Sequence, residues 1–281
     1  MIKYPQKFGE QETLTEFFIS RLGVALGFEM AESGLVRADG TLVFLTKVFT
    51  GPTEILRHGS LVIEDFYKGE KELDRVRRKE EQRFYSIDFV GELLHIFVRD
   101  DFAEVFPKFI EMLVFDAVIG SMDRHVQNWG VLEIRKEPAI TQQGTEQAAQ
   151  YRYRFAPIFD SARALLWNAS EDWVDLLSRD AKAFEAHLDR AKPCLGPKKH
   201  TSGRKSCNHL EFVANLLQAY PDETRRALTK VPSDVAQRGS KLLRSFPFRS
   251  GFSRSRKQLI EKILSERARR LSELLVKGGS E

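Results

Sequence analysis

The stretch Ile119-Gly-Ser-Met-Asp123-Arg-His125-Val-Gln-Asn128-Trp-Gly-Val-Leu132 decides how the rest of the chain is read. It packs an acid, a guanidinium, an imidazole and an amide into six residues. Such groups are costly inside a core unless each has a partner, so a cluster of them belongs at a cleft. Upstream, Phe106, Phe109, Ile110, Leu113, Val114, Ala117 and Val118 recur at helical spacing. They predict a helix with one buried face that ends near Gly120. Downstream, Val131–Arg135 and Tyr151–Phe159 are apolar, β-prone runs. They predict two strands, joined by an exposed polar loop over Lys136–Gln150. The second run closes on Ala156-Pro-Ile-Phe-Asp160. If the two strands pair as a hairpin, Asp123, Asn128 and Asp160 meet.

Those three residue types suit phosphoryl transfer, which needs positioning and charge neutralisation more than covalent help. A carboxylate at Asp123 can accept the proton of an attacking hydroxyl. Mg²⁺ prefers hard oxygen ligands and takes few of them from protein, and Asn128 and Asp160 offer an amide oxygen and a carboxylate. An Asp-x₄-Asn spacing followed by a strand-terminal Asp is the order found in protein kinases. Near the N-terminus, Lys3 lies on a short strand, Met1–Tyr4, stopped at Pro5. A helix follows over 12–28, with Leu14, Phe17, Phe18, Leu22, Ala25 and Leu26 on one face and Glu16 beside them. A strand lysine paired with a glutamate from the next helix is the phosphate-holding device of kinases. Gly40–Phe49, between Asp39-Gly40 and Gly51-Pro52, predicts a further strand. From Thr53 onward helices are expected to dominate, ending in one over Arg254–Val276.

The composition is that of an ordinary globular protein, 42% hydrophobic and 30% charged. No apolar run is long enough to span a membrane, the first residues lack a secretory signal, and Cys194 and Cys207 are the only cysteines. These features predict a cytoplasmic protein, with a secreted effector the other compartment left open. The net charge of +4 is uneven: Lys198–Arg270 holds 18 Lys/Arg against 6 Asp/Glu. That third reads as solvated helix faces, or as a surface for nucleic acid or an acidic partner. The basic run Lys198–Ser206 reads as a solvated loop. Cys194, His200, Cys207 and His209 have metal-ligating chemistry, but their spacing matches no common zinc module, so they are expected to be ordinary loop residues. Trp129 is expected in the core. His58 and Ser60 either line the cleft or cap a helix, and Arg163 either steers a phosphate or forms a surface salt bridge.

These stretches resemble the HipA-like kinases, bacterial serine/threonine kinases with a divergent protein-kinase fold. MIKYP (residues 1–5) is similar to the family's lysine strand and LTEFF (14–18) to its glutamate helix. IGSMDRHVQNWGVL (119–132) resembles its catalytic loop, APIFD (156–160) its metal-binding strand end, and FRSGFSRSRKQLIEKILSERARRLSELL (248–275) its terminal helices. The resemblance implies a two-lobed α+β protein, with a small lobe over residues 1–50 and a mostly helical large lobe over 51–281. It implies ATP and Mg²⁺ as cofactors. Asp123 would be the base, Asn128 and Asp160 the metal ligands, and Lys3 with Glu16 the phosphate clamp. Thr46, Lys47, Val48 and Phe49 would form a hinge on the adenine beside Phe159, and His125 would support the loop.

As partners the resemblance implies a protein substrate such as a translation factor or an aminoacyl-tRNA synthetase, and a DNA-binding antitoxin. The sequence departs from the pattern in two ways. Asp123-Arg-His-x-x-Asn128 is also similar to the loop of phosphatidylinositol kinases, which leaves a lipid hydroxyl as an alternative acceptor; a binding module without turnover is the other alternative. Lys3 is preceded by two residues, and no glycine-rich phosphate loop is present. The small lobe is therefore expected to lack that hairpin: a small partner subunit or an upstream segment would supply it, or nucleotide would bind without the cover.

Overall fold

A computed structural model describes residues 1–5, 7–66, 85–136, 151–197, 207–245 and 247–277. Most of the predicted 136–150 loop and all of the 198–206 basic run, including His200, lie outside the described residues. Two three-stranded antiparallel sheets carry the site. In the first, β1 (Ile2–Lys3) pairs with β3 (Thr41–Thr46), which pairs with β2 (Ser33–Ala38) in the order β1-β3-β2. Gly40 turns the β2–β3 hairpin at φ +75°, a conformation glycine adopts without strain. Helix α1 (Glu10–Ala25) lies against this sheet. The predicted N-terminal order of strand, helix and strand or hairpin is present, with the hairpin.

The second sheet has the order β4-β5-β6. Strands β5 (Gly130–Arg135) and β6 (Tyr151–Phe155) form the predicted hairpin, in a register that sets Val131 opposite Phe155. The chain runs from β3 to β4 through residues 47–53, so the predicted hinge is the connection between the two sheets. Strand β4 (Glu54–His58) corrects the expectation of helices from Thr53. Five residues are too few to show a period, and the strand exists because β5, some 75 residues later, offers its edge. Arg57 and Glu133, on these neighbouring strands, seal the pairing with an ion pair at 3.2 Å. The predicted strand over 151–159 is also shorter than expected. Pro157 cannot donate to a ladder. Within 156–159 Ile158 makes an isolated bridge with Met30, which ties the segment after β6 to the segment before β2.

The remaining described elements are helical: α2 (Gly59–Phe66), α3 (Ile87–Val98), a 3₁₀ turn (Arg99–Asp101), α4 (Phe102–Ile119), α5 (Glu171–Arg179), α6 (Ala181–Arg190), α7 (His209–Ala219), α8 (Pro221–Thr229), α9 (Val235–Leu243), α10 (Phe248–Gly251) and α11 (Arg254–Lys277). Local signals set several starts. Ser86, Ser170 and Asp180 cap α3, α5 and α6, and Asn208 with Glu211 forms a capping box on α7. Helix α4 is buried over nearly its whole length, and α3, α7, α8 and α11 pack around it. Phe109, fully buried, meets the rings of Trp129 at 4.9 Å and Phe155 at 5.9 Å. One aromatic from α4 thus fixes the residue after Asn128 and the end of β6, and truncating such a ring costs about 3–5 kcal/mol.

Candidate functional site

Helix α4 ends at Gly120, whose φ of +67° is the left-handed stop expected there. The loop 121–129 follows. Its backbone folds on itself, with the amide of His125 donating to the Asp123 carbonyl at 2.8 Å and that of Asn128 to the His125 carbonyl at 2.9 Å. The Asn128 side chain donates through Nδ2 to the Asp123 carbonyl at 2.7 Å. This bond leaves its Oδ1 as an acceptor on a residue that is itself buried.

Arg124 is the centre of the arrangement, and sequence reasoning assigned it no structural role. It is 2% exposed. Two of its nitrogens hold both carboxylate oxygens of Asp116 on α4, at 2.8 and 2.9 Å. Its Nη1 donates to the carbonyls of Asn128 at 2.7 Å and Phe159 at 2.8 Å, and its Nη2 to Ser161 at 2.9 Å. One buried guanidinium therefore joins the helix end, the loop and the strand end carrying Asp160. The expected convergence of Asp123, Asn128 and Asp160 is present. The arginine of the Asp-Arg-His run faces inward.

Lys3 lies across from the loop. Its Nζ is 3.1 Å from Glu16 and 2.7 Å from Asp160, so β1, α1 and the strand end share one cation. Burial works against the Lys3 ammonium, yet Glu16 and Asp160 raise its pKa. At Glu16 burial outweighs the attraction of Lys3 and pushes the carboxyl up to about 7. Asp160 sits at φ +50°, a left-handed conformation that aspartate tolerates better than most residues. Asp123 also has a raised pKa, because burial outweighs the pull of Arg163 and His125. The Arg163 guanidinium lies 3.3 Å from the Asp123 carboxylate and 5.6 Å from the centre of the Trp167 ring. Of the two sequence readings of Arg163, the salt bridge is the one observed, and its partner is the candidate base.

The remaining expected residues are less uniform. His125 is half exposed, 3.9 Å from Asp123, and accepts from the Gln127 amide at 3.2 Å. The loop's main anchor is Arg124 rather than His125. Of the hinge residues, Thr46 lines a narrow cleft with Glu16, Met30, Phe159 and Asp160, and Phe49 stacks on Phe159 with ring centres 5.8 Å apart. Lys47 turns outward to pair with Glu32, and Val48 is exposed. His58 bonds the Gln127 carbonyl at 2.8 Å and stands edge-on to Phe159. The Ser60 amide donates to the Val126 carbonyl at 2.9 Å, so the turn into α2 buttresses the loop. Trp129 is in the core, as expected, and its Nε1 donates to Tyr85, whose hydroxyl donates to the Arg124 carbonyl.

Cys194 and His209 act on the same loop. The Cys194 thiol donates to the Met122 carbonyl at 3.2 Å, and burial pushes its pKa up to about 12. His209 Nε2 bonds the Ser121 carbonyl at 2.7 Å, and burial pushes its pKa down to about 3. No group of three His, Cys, Asp or Glu among the described residues is placed to hold a metal by itself. The donor set at Asn128 and Asp160, an amide oxygen and a carboxylate whose Oδ1 already holds a cation, has the chemistry of an ion site completed by phosphate oxygens and water.

Residues 1–232 match the family of HipA-like C-terminal domains. The chain belongs to that family. Its fold is that of a kinase. It superposes on the Helicobacter pylori proinflammatory kinase CtkA with a TM-score of 0.75 at 19% identity, over 99% of this chain and 90% of that one. It also superposes on HipA from a Shewanella oneidensis toxin–antitoxin complex with HipB and operator DNA. That match has a TM-score of 0.54 at 11% identity, covering 93% of this chain and 57% of that one. No curated protein matches the sequence. Membership in the HipA-like family agrees with the mixed α+β architecture. No described helix is long and apolar enough to cross a membrane.

Proposed function

We propose that this HipA-like protein is an ATP- and Mg²⁺-dependent kinase that transfers the γ-phosphate to a serine or threonine hydroxyl of another protein. The observation that carries the reading is the joint hold of Arg124 on the Asn128 and Phe159 carbonyls, which keeps the base and the two oxygen ligands in one cluster. Mg²⁺ would neutralise phosphate charge from Asn128 and Asp160. Lys3, released from Asp160 and kept in place by Glu16, would hold the α- and β-phosphates. Adenine would enter the cleft between Thr46 and Phe159, with Phe49 closing its edge. Asp123 would orient the acceptor hydroxyl and take its proton, after Arg163 leaves the carboxylate for the incoming phosphate.

The edge of β1, unpaired among the described residues, is where a phosphate-covering hairpin from a small partner would add a strand. The toxin–antitoxin setting of the HipA structure supports a role in which a DNA-binding antitoxin restrains the kinase; a translation factor or an aminoacyl-tRNA synthetase would be the substrate that the family resemblance implies. DNA would then be met only through that partner.

The test is incubation with γ-labelled ATP and Mg²⁺ beside a bacterial protein extract and phosphoinositide vesicles. Label in phosphoserine or phosphothreonine is expected. Label in lipid alone, or in neither fraction, overturns the proposal.

A further inference from the structure

Val235–Ile260 contains seven Lys/Arg and no Asp or Glu. The fold concentrates four of these cations around one groove of about 680 Å³, between α9, α10 and the start of α11. Arg244, Arg249 and Arg254 are exposed on its walls, Lys257 is half-buried, Leu243 and Gln258 add neutral surface, and Glu261 is the single acid. None of the four cations has a carboxylate partner among the described residues. Arg244 bonds the Ser240 hydroxyl at 2.8 Å and Lys257 the Arg249 carbonyl at 2.9 Å.

Three other arginines of α11 do have carboxylate partners. Arg256 pairs with Glu171 at 2.7 Å, Arg269 with Glu266 and Glu273, and Arg270 with Glu266, Glu185 and Asp189. Clustered like charges without counter-charges repel and do not stabilise the fold. Burial does not explain them either, since three of the four are exposed.

We propose that this groove docks an acidic peptide segment of a partner protein. Three of the four cations are arginines, whose forked guanidinium meets a carboxylate through two parallel hydrogen bonds. The concavity has the size of a few peptide side chains, whereas a duplex presents a convex row of phosphates and is better met by an extended stripe. The groove is separate from the residues that surround Asp123, and its occupation requires no nucleotide, so the inference stands apart from the kinase reading.

The test is fluorescence anisotropy with the full chain and no nucleotide. The probes are a labelled dodecamer of glutamate, a labelled 20-base-pair DNA duplex and a labelled single-stranded oligonucleotide. The glutamate peptide is expected to bind most tightly and to weaken as salt rises. R249E/R254E should weaken it at least tenfold, with an unchanged thermal midpoint. R249Q/R254Q provides the neutral comparison if charge reversal impairs folding, and should weaken binding by a smaller factor. Equal peptide affinity in wild type and both variants overturns the proposal. So does tighter binding of either nucleic acid that the same substitutions abolish.

Discussion

Arg124 and Asp116, eight residues apart, form a two-point ion pair that is almost wholly withdrawn from water. Removing one partner of such a pair leaves an uncompensated buried charge, which costs about 3–5 kcal/mol. Arg124→Met should therefore lower stability by about that amount in denaturant titration. The double variant Arg124→Met/Asp116→Leu should recover much of the stability, because no lone charge remains. It should not recover turnover, because the Asn128 and Phe159 carbonyls and the Ser161 hydroxyl still lack their shared donor.

Asp160→Asn is the cleanest probe of the candidate metal site. Asparagine tolerates the left-handed backbone at this position, so strain is not introduced. The substitution removes the charge that would face the ion and the charge that holds Lys3 at 2.7 Å. The Mg²⁺ concentration for half-maximal activity should rise at least tenfold, read from a metal titration at fixed ATP. An unchanged midpoint would remove Asp160 from the ligand set.

His209 gives a pH dependence with a definite sign. Its folded pKa of about 3 lies below the ordinary value of 6.5. Above 6.5 neither state binds the proton, and the native state is at full strength. As pH falls from 6.5 towards 3 the unfolded chain gains a proton that the buried ring refuses, so stability is lost with acidification. By pH 5 the loss is about 2 kcal/mol. His209→Gln keeps a donor for the Ser121 carbonyl and cannot titrate. The fall in thermal midpoint between pH 7.5 and pH 5 should be smaller in this variant, and an equal fall would contradict the assignment.

Asp123 supplies the kinetic counterpart. Its pKa is raised by burial despite Arg163 and His125. A base works only when deprotonated, so activity should fall as pH drops, with an acidic limb above the ordinary carboxylate range. Measured kcat/KM between pH 4 and 8 should show that limb. A profile flat down to pH 4 would be incompatible with this base.

Much of the fold is visible in the sequence because its signals are local. The apolar stripe of α4 sits on one chain segment, and the Asp123, Asn128 and Asp160 spacing needs only one hairpin to close. Strand β4 is not visible in this way: its five residues gain a partner only when β5 arrives. Nor does spacing tell that Cys194 and His209 would each reach back to carbonyls before Asp123. Arg124 left one trace, a lone acid at Asp116 within an otherwise apolar helical face. A charge placed there requires a buried partner, and a cation eight residues on was available. Lys47 and Val48 diverge from the expected hinge: Lys47 pairs with Glu32 at the surface and Val48 is exposed.

The central claim is that Asp123 acts on an acceptor hydroxyl after nucleotide has bound. It is tested most directly by measuring, on wild type and Asp123→Asn side by side, both ATP binding by calorimetry and transfer of γ-label in a single turnover. The account predicts similar ATP affinity in the two proteins and transfer slower by about 10²–10⁴ in the variant. Equal transfer rates would contradict it.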